Sequence, residues 1–156
     1  MAAFSINHVP DPQRAFAEAA RVVAPGGGVL VSAYSSDDDH PVKAAVDRAA
    51  REAGWSPDPW VDEVRSGAAP RLATARGAVS AARKAGLRGE ASVVEVVFPD
   101  LGASDLVAWR LGMAGVAPFV TALPRDQRQH LEERALELLG EPEVLIRRMV
   151  VFRART

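Results

Sequence analysis

The sequence predicts an α/β layered fold with a largely parallel sheet. Three observations carry that expectation. Strand-length apolar stretches alternate with helix-length amphipathic ones along the chain. Glycine and Pro-Gly punctuation closes the helices, at Pro25-Gly26-Gly27-Gly28, Gly54 and Gly86. Val29–Tyr34 is a continuous apolar run, the mark of a strand covered on both faces. With 156 residues the chain can bury one proper core. Residues 1–156 are expected to form a single domain, with 104–140 as a helical cap.

The elements follow in order. Met1–Ile6 is short, apolar and β-prone, so it reads as a strand, and Asn7-His8-Val9-Pro10 as a loop. Asp11 makes a helix N-cap with Pro12 at the first helical position, where a missing N–H costs nothing. Phe16, Ala19, Ala20 and Val23 share one face of that helix. After the strand Val29–Tyr34, the acidic loop Ser35–His40 leads to a helix opened by Pro41 and closed near Gly54. Trp55–Pro70 holds several prolines and no clear period, which predicts a long surface excursion. Thr74–Ala85 reads as a helix and Ser92–Phe98 as a strand. Ser104 is expected to cap a helix through Leu106, Val107, Trp109, Arg110, Leu111 and Met113. A further helix spans Pro124–Leu139, and Val144–Arg153 is the last strand.

Composition excludes several function classes. The formal net charge is −1, which gives no electrostatic reason to expect nucleic acid or an anionic membrane as partner. No apolar run approaches the roughly 20 residues of a membrane span, and no basic-then-apolar leader opens the chain. A cytoplasmic location is the expectation. Cysteine is absent, which removes disulfides, thiolate metal sites and cysteine nucleophiles together. Asp37-Asp38-Asp39-His40 offers hard-metal ligand types, but adjacent carboxylates on one loop seldom converge on one ion. These residues suit a helix N-terminus instead, and no metal is expected.

The ordered run Ile6-Asn7-His8-Val9-Pro10-Asp11-Pro12, then Ala15, Glu18, Arg21-Val22-Val23-Ala24-Pro25-Gly26-Gly27-Gly28-Val29-Leu30-Val31, resembles class I S-adenosylmethionine-dependent methyltransferases of the small-molecule, type 11-like kind. Ala82-Arg83-Lys84-Ala85-Gly86-Leu87 before the strand at Ser92 resembles the element preceding that family's sixth strand. The resemblance implies the C-terminal half of that fold, a partial Rossmann-like sheet. Its strands would be the family's four, five, seven and six, adjacent in that order. The last strand would insert antiparallel, helices would cover both faces, and a helical cap would complete the fold.

The resemblance also implies site residues. His8 falls in the loop beside the transferred methyl group and, as a neutral imidazole, could take a proton from a hydroxyl nucleophile. Asn7 stands where many members carry a second histidine. Ala3 and Phe4 would touch the cofactor, S-adenosylmethionine. Tyr34, Trp109, Arg110 and Met113 would line a mostly apolar pocket for a small-molecule substrate, with one cation to orient it. In the family, a glycine-rich loop after strand one and an acidic residue ending strand two grip the cofactor. Both would lie upstream of Met1. Gly26-Gly27-Gly28 precedes its strand, whereas a cofactor loop follows one. The chain alone is therefore expected not to hold the cofactor.

Three functions follow. The first is a methyltransferase completed by an N-terminal half from elsewhere. The second is a repurposed half-fold that binds or cyclises a small molecule. The third is a non-catalytic partner of a complete methyltransferase. Lacking the strand that normally flanks it, the uncharged Met1–Val9 edge is expected to pair with a second copy or a partner chain.

Overall fold

A computed structural model describes residues 1–155, the side chains of residues 65 and 68 excepted. Its sheet has four strands: β1 (Ala2–Ala3), β2 (Gly28–Tyr34), β3 (Gly89–Phe98) and β4 (Leu145–Arg155), in spatial order β1-β2-β4-β3. β1 runs parallel to β2, pairing Ala2 with Val31 and Ala3 with Ser32. β4 runs antiparallel to β2, from Gly28 opposite Arg155 to Tyr34 opposite Met149. The sheet is therefore mixed and open, and the order is the one expected for a partial Rossmann-like methyltransferase sheet.

The helices are α1 (Pro12–Val22), α2 (Pro41–Glu52), α3 (Pro59–Ser66), α4 (Ala68–Leu72), α5 (Ala75–Lys84), α6 (Ala103–Leu111), α7 (Ala117–Ala122) and α8 (Arg125–Leu139). The chain divides into two compact units. One comprises residues 1–38, 62–96 and 147 onward; the other comprises 39–61 and 97–146.

In the first unit, Asp11 accepts from the Arg14 N–H at 3.1 Å and starts α1, as the sequence indicates. Thr74 does the same for α5 through Gly77 N. The two helices pack on each other. Phe16 meets Phe152 of β4 edge-on, ring centroids 5.4 Å apart, and both rings are almost wholly buried. Val29, Val31, Ala33, Leu72, Leu87 and Val150 complete this core. Gly89 lets β3 lie close to β4, since a Cβ there would stand 2.2 Å from the Arg153 carbonyl oxygen.

The second unit is built on α2, whose Val42, Ala45, Val46, Ala49 and Ala50 are buried at helical spacing. They pack with Leu106, Val107 and Leu111 of α6 and Leu131, Ala135 and Leu139 of α8. Glu52 of α2 receives Arg134 of α8 at 2.7 Å and Arg48 at 3.0 Å. Arg134 first, then Arg48, holds the Glu52 carboxyl below its ordinary pKa.

Several elements depart from the sequence expectation. The strand expected over Met1–Ile6 is confined to Ala2–Ala3, because Phe4 takes a positive φ of 51° and the chain turns into a 3₁₀ helix at Ile6–His8. β2 is not covered throughout: Val29, Val31 and Ala33 are buried, while Leu30 between them is 40% exposed. The Trp55–Pro70 excursion folds into α3 and most of α4, each with proline in its first turns or close by. Trp55 is buried in the second unit, its Nε1–H donating to Gly115 O at 3.1 Å. α6 is capped at Gly102 rather than Ser104, because Asp105 reaches back to accept from Gly102 N at 3.0 Å.

Phe16→Ala removes the ring that fills the space between α1 and β4. It should cost about 3–5 kcal/mol, read as a lowered urea midpoint with an unchanged slope.

Candidate functional site

The C-terminal ends of the parallel strands β1 and β2 bring Ala3, Phe4 and Tyr34 together within the first unit. Open α/β sheets bind ligands at such strand ends. Phe4 N donates to Ser32 O at 3.0 Å, holding the residue after β1 against β2. Its left-handed backbone is unusual for a bulky side chain and costs of order 1–3 kcal/mol. What holds it is the ring: Phe4 stacks on Tyr34 with centroids 4.5 Å apart and planes 24° apart.

Tyr34 is held in turn by the guanidinium of Arg147, 4.2 Å from its ring centroid. Arg147 is fixed by Asp38, which accepts from Nε and Nη2 at 2.9 Å each in a forked pair. Asp38 also accepts from Arg148 N at 2.8 Å, and its side chain is only 3% exposed. The order of dependence is Asp38, Arg147, Tyr34, Phe4. At its far end the chain turns into the 3₁₀ segment that presents His8.

His8 is exposed, and its backbone N donates to Ser5 O. Asn7 before it is buried, with its Oδ1 unpartnered. An orphaned buried carbonyl is costly unless water or ligand meets it. Asp37-Asp38-Asp39-His40 divides its tasks. Asp38 holds the arginine, and Asp39 accepts from His40 N. His40 caps α2: Nδ1 accepts from Val42 N at 3.2 Å, which leaves the proton on Nε2 to donate to Glu143 O at 2.9 Å. Among the described residues no group of three or more such ligands could hold a metal ion.

The cap residues lie in the second unit. Arg110 pairs with Asp47, and its side chain is 13% exposed. Trp109 and Met113 are half-buried, and Trp109 packs against that unit's core. Asp38 and Arg147, which organise the strand ends, were missed by sequence reasoning. Asp38 reads as one of several carboxylates before a helix N-terminus and Arg147 as one of two adjacent arginines, and only their pairing over 109 residues identifies them.

The residues at the strand ends do not form a complete site for S-adenosylmethionine. Ala3 and Phe4 offer apolar surface, Phe4 N is engaged, and the buried carboxylate of Asp38 is committed to Arg147 and Arg148.

The first unit thus presents an ordered aromatic pair, Phe4 on Tyr34, at the ends of β1 and β2. The model of a family described as a methyltransferase domain matches residues 1–31, a distant and partial homology. Solved structures also match. One is a Bacillus halodurans C-125 protein whose description proposes a methyltransferase, with 15% identity and a TM-score of 0.48. The alignment covers 98% of this chain and 61% of that one, so this chain spans less than two thirds of its length. No curated protein matches.

Asp38→Ala removes the forked carboxylate pair from a largely buried guanidinium. A loss of about 3 kcal/mol is expected, measured by equilibrium denaturation, with Arg147→Met recovering part of it in the double variant.

Proposed function

We propose that this chain supplies the small-molecule side of a methyltransferase-type site, at the C-terminal ends of β1 and β2, and binds S-adenosylmethionine only weakly by itself. The observation that carries the reading is the family match over residues 1–31. That segment runs from β1 through the His8 turn and α1 into β2, ending just before Tyr34.

In this reading Phe4 and Tyr34 give a bound molecule an apolar, partly aromatic wall, and Ala3 leaves room beside it. His8 receives the proton of the bound molecule's hydroxyl on its neutral imidazole. Within the second unit, Trp109 and Met113 offer apolar surface suited to a small molecule, and the guanidinium of Arg110 is paired with Asp47.

A second reading, a small-molecule binder without transfer chemistry, is favoured by the self-contained chain of contacts from Asp38 to Phe4, which needs no other group to stand.

Calorimetric titration with S-adenosylmethionine tests the cofactor part. Losing several buried hydrogen bonds of about 0.5–1.5 kcal/mol each should put affinity orders of magnitude below that of a complete site. Micromolar binding by this chain would contradict it. Where turnover of a small acceptor is found, His8→Ala should lower it by about 10²- to 10⁴-fold. A folded variant with full turnover removes His8 from the chemistry and leaves the binder reading.

A further inference from the structure

β3 ends the sheet, so its outer edge has no paired strand among the described residues. It runs ten residues and contains no proline. Val93, Val94, Val96, Val97 and Phe98 are 48%, 40%, 37%, 53% and 39% exposed. Successive residues of a strand point to opposite faces, so the exposure of both Val93 and Val94 leaves both faces of β3 open.

Edge strands are normally blunted by lysine, proline or a bulge. β3 carries two charges, Glu90 and Glu95, and each is turned onto an arginine of β4: Arg153 at 2.6 Å and Arg148 at 2.6 Å. The charges that would discourage pairing are thus partly neutralised within the sheet. The stretch Ser92–Phe98 is left as an apolar template rich in β-branched residues.

We propose that a second copy of this chain covers β3, the two strands pairing antiparallel about a two-fold axis into one continuous sheet. The flanking charges select the partner and the direction. Arg88 precedes the strand and Asp100 follows it, and both are exposed. Neither has an ion-pair partner in its own chain among the described residues. Antiparallel pairing sets the Arg88 end of each copy beside Asp100 of the partner subunit, twice by symmetry. Parallel pairing would set like beside like.

The register follows from the same residues. Arg88 lies six positions before Val94 and Asp100 six after it. An axis through Val94 therefore brings the Arg88 end of each strand toward the turn after β3 of the partner subunit, where Asp100 lies two residues past the strand. It also faces Val94 with its own counterpart, Ser92 with Val96, and Glu95 with Val93. An axis through Glu95 would instead oppose two carboxylates, an unfavourable cross-strand pair.

Sedimentation velocity and light scattering across the micromolar range test this. The wild type should be a dimer, and Val94→Lys, which brings two ammonium groups together at the axis, a monomer with an unchanged circular dichroism spectrum. Arg88→Asp or Asp100→Arg alone should each weaken dimerisation about tenfold, and the double exchange should restore it. Phe4→Asp, remote from β3 in the strand order, should leave the dimer intact. A wild type that stays monomeric throughout overturns the proposal. So does a dimer indifferent to the Arg88/Asp100 exchanges, which decide the matter if Val94→Lys does not fold. A dimer lost with Phe4→Asp alone overturns it too, and moves the contact to the Met1–Val9 edge.

Discussion

The buried carboxylate of Asp38 is the constraint on which the first unit's strand ends depend. It closes a fork on Arg147 and takes the backbone N–H of Arg148, so the turn after β2 is tied to β4 where the two begin to separate. A charge this buried is tolerable only because its lone pairs are filled by a guanidinium and an amide together. Once Arg147 is fixed, its planar head lies against Tyr34, and Tyr34 has one place to stand. Phe4 can then keep a backbone conformation that a phenylalanine would otherwise abandon. Local strain held by surrounding contacts is common where a structure presents a functional loop. Here the strained residue is four positions before His8.

Much of the fold was legible in the sequence because local chemistry and tertiary packing agree. Asp11-Pro12 states the start of α1, Thr74 states the start of α5, and the alternating apolar face of α2 states what it buries. The strand order was legible through resemblance alone; no periodicity in the chain says that β4 inserts between β2 and β3. Met1–Ile6 was misjudged because its apolar composition is equally compatible with a strand and with a turn fastened by aromatic stacking. The residue that decides, Arg147, is far away in sequence. The Trp55–Pro70 segment hid its helices for a related reason. Its prolines break any long period, yet proline is at home in the first turn of a short helix, and Trp55 anchors the segment by burial that composition does not reveal.

The site was legible in part. The sequence pointed to the strand ends through Phe4, His8 and Tyr34, and the structure brings Phe4 and Tyr34 into contact. The resemblance gave Arg110 to a substrate, and in the structure its guanidinium is paired with Asp47. Asp38 was read as one of the carboxylates before a helix N-terminus, and Arg147 was given no role. Charge identity is visible in a sequence, but the partner that neutralises it is not. The exposed valines of β3 show the converse, since an apolar strand reads as buried until its neighbours are known.

Asp38, through Arg147 and Tyr34, orders the strand-end site. Tyr34 is the chain's single tyrosine, so protein made with isotope-labelled tyrosine reports that ring alone by NMR. The account predicts ring signals shifted upfield by the Phe4 stack, and their return toward free-tyrosine values in folded Asp38→Asn. Signals at free-tyrosine positions in the wild type, or unmoved by Asp38→Asn, would contradict it.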